Sequence, residues 1–243
     1  MKPDPFYIGW QDRAPEPLVG PLRLTIAAAC LLTLVAALAL ASGQRPFRHG
    51  SFEFGVERTF AGVLRAEPVP TFEPEGGGGV RWLVVGEGKR SWPDAAREAA
   101  GRRVRVTGSL IDDGDRTMLE LHPGKGFDDL GPAAPALPPR REGTIRLSGE
   151  LVDTKCFLGV MRPADGKVHR ACAANCLAGG VPPGLWVRNE DGSSRVYLLT
   201  GEDGGPTGIG PDRAATRLEI RGQLEIHGDL AVVRVASWRP AAE

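Results

Sequence analysis

Arg103-Val-Arg-Val-Thr-Gly-Ser-Leu110 alternates apolar and polar side chains, turns at Asp112-Asp-Gly-Asp115 and returns as Thr117-Met-Leu-Glu-Leu121. Period-two alternation lays one face of a strand on a core, and a glycine-aspartate turn between two such runs signals a β-hairpin. The pattern recurs near the C-terminus: Val104, Val106, Gly108 and Leu110 match Leu218, Ile220, Gly222 and Leu224, and Gly114-Asp115 matches Gly228-Asp229 at the same spacing. Working outward, Trp82-Leu-Val-Val-Gly-Glu87 faces Tyr197-Leu-Leu-Thr-Gly-Glu202, and Phe60-Ala-Gly-Val-Leu64 faces Leu147-Ser-Gly-Glu-Leu151. The chain therefore carries an internal repeat of one small β module.

A long strand, two further strands, a short helix read in the first copy and a closing hairpin are the sequence form of a five-stranded OB-like barrel, with an open β-sandwich as the alternative that strand count leaves open. In the first copy the helix is expected around 93–100, ended by Gly101. Glycine (33 residues) and proline (21) are abundant and aromatics make up 6% of the chain, which suits short strands joined by turns. The fold class is mostly β: an N-terminal transmembrane helix, then two repeated OB-like barrels, the second carrying a Cys/His helical insert. The expected divisions are a tail at 1–21, the transmembrane helix at 22–42, a first β domain at 50–128, a stiff proline-rich linker at 129–143 and a second β domain at 144–239.

Lysine plus arginine (30) balances aspartate plus glutamate (30), with no basic tract, which argues against nucleic acid as a partner. Residues 24–41 hold no charge and no helix breaker, and at about 1.5 Å per residue they roughly span a hydrocarbon core of about 30 Å. Ala37-Leu38-Ala39 and Ala39-Leu40-Ala41 have the form of a signal-peptidase site, but the long acidic leader with Asp4, Asp12 and Glu16 favours a retained anchor. Lys2, Arg13 and Arg23 before the span are balanced by Arg45, Arg48 and Arg58 after it, so charge hardly orients the helix. The layout of a signal anchor places the tail in the cytoplasm and the bulk of the chain on the periplasmic side of the cell membrane. Phe6-Tyr-Ile-Gly-Trp10 is expected at the headgroup level, or as a docking peptide for a neighbouring membrane subunit.

The copies differ by an extra piece, 154–184, found only in the second. Because the first copy closes without it, the piece is expected to be an addition that the barrel does not need, and hence functional. It holds Cys156 and the alanine-rich run Val168-His-Arg-Ala-Cys-Ala-Ala-Asn-Cys-Leu-Ala178, stopped by Gly179-Gly180 and Pro182-Pro183. On a helix, His169, Cys172 and Cys176 stand at i, i+3 and i+7 and share a face. Cys156, beyond the preceding strand, can fold over that face with Asp153 close by.

Three readings of this stretch compete. A disulfide from Cys156 to Cys172 or Cys176 would pin the insert and leave one thiol over. A metal set of Cys156, His169, Cys172 and Cys176 would suit zinc, or copper if fewer ligands bind, with the Met161 thioether nearby. Thiol redox chemistry would use Lys167, His169 and Arg170 as activating cations, although C-x-x-C is absent. Asp112, Asp113 and Asp115 sit where a hairpin needs turn formers, His122 and His227 flank strands singly, and Gly76-Gly-Gly-Gly79 reads as a flexible loop. No catalytic set and no small-molecule substrate is apparent.

Ser148-Gly-Glu-Leu-Val-Asp-Thr-Lys-Cys156, then His169-Arg-Ala-Cys-Ala-Ala-Asn-Cys176 with Gly179-Gly180 and the strand Leu185-Trp-Val187, resembles a group of small exported bacterial β domains. Their pattern is G-x-[IV]-x-D-x-x-C, then H-x-x-C-A-x-x-C, a glycine and a strand. The resemblance covers the second domain and implies an exported OB-like domain without a particular activity. The anchor, the first copy and a longer gap between Cys156 and His169 depart from it. These additions suggest a membrane-anchored accessory or assembly subunit with a metal- or redox-linked site, serving a membrane electron-transfer complex, rather than an enzyme. The alternatives are a structural interaction module with a disulfide-pinned insert, and a thiol redox enzyme.

Overall fold

The computed structural model describes residues 14–44, 50–122 and 124–241. Two compact units make up the chain, Met1–Phe47 and Arg48–Glu243. In the first, α1 (Glu16–Gly43) is 28 residues long, admits Pro21 within its first turns and is long and apolar enough to cross a membrane. The aromatic cluster at 6–10 lies outside the described residues.

The second unit holds both β copies. In the first, β2 (Arg58–Arg65), β3 (Thr71–Pro74), β4 (Trp82–Gly86), β5 (Arg102–Asp112) and β6 (Thr117–Leu121) close in the order β5-β2-β3-β4-β6 and back to β5. β1 (Ser51–Phe52) and β7 (Phe127–Pro132) add to the flanks of β5. In the second, β8 (Arg140–Asp153), β9 (Pro183–Arg188), β10 (Ser194–Gly201), β11 (Arg217–His227) and β12 (Leu230–Pro240) form a closed barrel in the order β10-β12-β11-β8-β9. The pairings correspond one for one, down to the single parallel contact in each ring, β4 with β6 and β10 with β12. The proline-rich stretch is ordered at both ends, since β7 takes in Pro132 and β8 begins at Arg140.

The repeated glycines have one physical cause. A Cβ on Gly108 would lie 2.3 Å from the Glu120 carbonyl oxygen, and one on Gly222 would lie 2.1 Å from that of Arg234. In each barrel the two arms of the closing hairpin, β5 with β6 and β11 with β12, come so near at this point that only a residue without a side chain fits there. The short helix α2 (Asp94–Glu98) falls where the sequence places it, and Gly101 follows with φ 82°.

The insert does more than the sequence expectation assigns to it. The second barrel does close through its own five strands, but the extra piece is no loose appendage. It folds as a wide turn, Cys156–Val160, and α3 (Gly166–Ala178), and it lies in the seam between the barrels. Cys156, Phe157, Leu158, Ala164 and Cys176 belong to one apolar core with Leu83, Val85, Ile111 and Met118 of the first barrel and Val152, Leu198 and Val232 of the second. Phe157 and Leu158 are each 2% exposed, and burying two such side chains contributes roughly 1.5–3 kcal/mol apiece. The insert thus joins the two copies as well as decorating one of them.

Candidate metal centre

β8 ends at Asp153, and Thr154 closes the base of the insert by donating its backbone N–H and its hydroxyl to the Pro182 carbonyl. The chain then enters the wide turn, which carries Cys156 inward. α3 runs back past it with His169, Ala173 and Cys176 on its buried side and Cys172 half-buried. The i, i+3, i+7 spacing read from the sequence therefore does present one face to Cys156.

Three sulfurs converge. The Cys156 Sγ atom lies 3.9 Å from Cys172 Sγ and 3.9 Å from Cys176 Sγ. A disulfide needs about 2.05 Å, and the described cysteines are all free, so the pinning bridge is not formed. Two thiolates bound to one zinc at about 2.3 Å, with a tetrahedral angle between them, stand about 3.8 Å apart, close to what is seen here.

His169 goes elsewhere. Its Nε2 lies 3.1 Å from Asp153 Oδ2, and both side chains are fully buried. The other oxygen of Asp153 accepts the Cys156 backbone N–H at 2.8 Å. The described residues therefore hold two groups able to take a metal ion, Cys156 with Cys172 and Cys176, and Asp153 with Cys156 and His169, joined at Cys156. Histidine and aspartate together fix the turn from which Cys156 projects, as outer partners commonly orient a ligand.

The first barrel completes the site, which nothing in the local sequence announces. The connection 87–91 after β4 lies over α3: Lys89 Nζ donates to Cys172 Sγ at 3.2 Å, and the Ser91 N–H donates to the Gly179 carbonyl at 2.7 Å. From the other side, the buried Lys155 ammonium donates to the carbonyls of Gly86 (2.8 Å) and Gly88 (2.5 Å) and pairs with Glu120. Gly179 is obligatory in this fit, because a Cβ there would stand 1.8 Å from the Lys89 carbonyl oxygen.

The thiols differ electrostatically. A hydrogen bond to Cys176, then burial and the Asp153 charge, push the Cys156 thiol far up. That same bond pulls the Cys176 thiol down, and Lys89 helps against burial. The Cys172 sulfur in turn holds the Lys89 ammonium above its usual range. The remaining candidates are satisfied structurally. Asp112 and Asp113 accept backbone N–H groups within their own turn, Ser109 partners His122 at 3.1 Å and Glu225 partners His227 at 3.0 Å.

Compared with protein-family models, with curated proteins and with solved structures, the chain finds no match in any of the three.

Proposed function

We propose that this protein is a membrane-anchored, extracytoplasmic metal-thiolate protein. It would bind one ion through Cys156, Cys172 and Cys176, with Asp153 and His169 holding the turn of Cys156. The observation that carries this is the convergence of three unbonded sulfurs at metal-ligand spacing beneath a lysine ammonium. Three thiolates in a mostly buried seam need their charge offset. A divalent ion together with Lys89 balances them, while a monovalent ion leaves one negative charge over, so zinc is favoured over copper(I). Three protein ligands leave the fourth zinc position open on the half-buried Cys172 side.

The anchor reading rests on α1, and the extracytoplasmic placement on the signal-anchor layout and the resemblance of the second domain to exported β domains. With no catalytic set at the centre, we take the protein as an accessory or assembly subunit of a membrane electron-transfer complex. Metal analysis by mass spectrometry of the full chain, purified without chelator, should return one zinc per chain, lost in Cys156→Ser and in Cys176→Ser. A metal-free protein with a Cys156 disulfide overturns the metal reading in favour of the structural module or thiol redox chemistry. Co-isolation of redox subunits from solubilised membranes tests the assembly role.

A further inference from the structure

The three thiols of the centre are not equally placed. Cys156 is 3% exposed and Cys176 1%, both inside the seam core, whereas Cys172 is half-buried and packs only against the edge of that core. A dissolved reagent therefore meets Cys172 first. Cys156 is the common neighbour, 3.9 Å from each of the other sulfurs. Cys172 and Cys176 stand four residues apart on the regular helix α3, where their side-chain directions suit a bridge to each other badly. A product formed on Cys172 thus has Cys156 as its nearest suitable partner.

The Lys89 ammonium marks the way in. Lys89 is exposed, reaches Cys172 Sγ at 3.2 Å from the first barrel and has no carboxylate partner among the described residues. One of its three N–H donors goes to the sulfur, which leaves two for a small polar reagent in front of it. A peroxide suits this arrangement. It is small and uncharged, and as sulfur attacks one oxygen the other gathers negative charge that an aimed ammonium stabilises.

We propose that Cys172 is the site at which hydrogen peroxide oxidises this protein, and that Cys156 converts the product into a Cys156–Cys172 disulfide that empties the metal centre. The thiol assignments stand on exposure and distance; the release of an ion rests on the metal reading. In the first step the Cys172 thiolate attacks one peroxide oxygen, the O–O bond breaks, and a sulfenic acid forms as the other oxygen leaves as hydroxide. In the second, the Cys156 thiolate attacks the sulfenic sulfur, the S–S bond forms, and the S–O bond breaks to release a second hydroxide. The two sulfurs together give up the two electrons that the peroxide takes. Cys176 alone then remains of the three thiolates, too few for a zinc site.

The full chain in detergent, with Cys30→Ala to remove the thiol of α1, is reduced, loaded with zinc and treated with one equivalent of hydrogen peroxide. It should release zinc to a chromogenic chelator, and non-reducing peptide maps should show Cys156 bridged to Cys172 with Cys176 open to alkylation. In Cys156→Ser, which cannot form the bridge, dimedone should trap the sulfenic acid on Cys172. Adding Lys89→Met should slow that trapping about ten- to a hundredfold, the worth of one hydrogen bond to a charged group, and Lys89→Arg should recover most of the rate. A reduced chain that takes up no zinc fails the metal reading and the release with it, while the trap and the map on the same chain still decide the thiol assignments. Zinc bound and retained after peroxide, dimedone on Cys176, or a bridge that leaves out Cys172 overturns the proposal with the metal reading intact.

Discussion

Replacing Lys155 with methionine should be among the most damaging single changes outside the apolar core. Lys155 is 3% exposed and Glu120, its partner from the first barrel, 4% exposed, so the methionine variant strands a carboxylate in the seam. Breaking a buried pair in this way costs about 3–5 kcal/mol. The Gly86 carbonyl also loses its donor at 2.8 Å, for about 1 kcal/mol more. Gly88 is exposed, and its carbonyl can turn to water. The sum, about 4–6 kcal/mol, is a large part of the roughly 5–15 kcal/mol that holds a native protein together. Glu120→Gln should cost less, about 2–3 kcal/mol, because the ammonium keeps its two carbonyl acceptors. Lys155→Met with Glu120→Gln contains no stranded charge and should fall short of the sum of the singles by at least about 1.5 kcal/mol. Urea unfolding of the full chain in detergent, followed by tryptophan fluorescence, measures all three. A Lys155→Met cost below about 1 kcal/mol, or strict additivity in the double variant, would refute the claim that this pair joins the barrels.

Gly179→Ala should force the 87–91 connection off α3, costing about 1–3 kcal/mol, and lower zinc affinity as Lys89 leaves Cys172; thermal melts and a competitive chelator titration read the two effects. His169→Ala should weaken zinc binding about 10–100-fold without abolishing it, since it removes the partner of Asp153 and no sulfur, whereas Cys176→Ser should abolish it. Acid stability should fall in two stages. Burial holds His227 below its usual range, so below about pH 6.5 the unfolded chain takes up a proton that the folded one does not, and stability declines. At Glu225, burial is outweighed by hydrogen bonds from Arg234 and His227, and the carboxyl lies below its ordinary range. Its contribution is present above about pH 4.3 and is lost as pH falls through the lower folded value. His227→Gln should remove the upper stage and, in taking a donor from Glu225, shrink the lower, whereas Glu225→Gln should remove the lower stage and deepen the upper, since the carboxylate no longer favours the His227 cation; unfolding curves taken across pH read both.

The barrels were readable because their determinants are local. Alternation at Val104 and Val106, and again at Leu218 and Ile220, sets which face is buried, and the turn glycines set where the chain reverses. The helical face of His169, Cys172 and Cys176 was readable for the same reason, since spacing on a helix is a local property. The partner of His169 was not. Imidazole can bind metal or carboxylate, and only the end of β8 puts Asp153 within 3.1 Å. Lys89 and Glu120 were invisible as site residues because their sequence context is that of a turn and a strand. They matter only through the docking of one barrel on the other, which no periodicity encodes. The place of the insert between the copies was hidden for the same reason. Closure of a barrel can be judged from its strands, but burial of Phe157 and Leu158 depends on a surface contributed from elsewhere in the chain.

That docking gives the repeat a reason. One copy of the module closes a barrel and stops there; two copies create a seam in which the long-strand connection of each barrel meets the third-strand loop of the other. The tight form of that loop is shared, since a Cβ on Gly86 would stand 2.5 Å from the Ser91 carbonyl oxygen and one on Gly201 2.5 Å from that of Pro206. Lengthening one connection places three thiols under the first of these loops, and leaving the other short opens a cavity under the second. These two connections are where the copies differ within the seam, and they leave a sulfur cluster on one side and an open cavity on the other. Nothing in the strand pairings distinguishes them, so divergence of these connections changes the sites without disturbing either barrel.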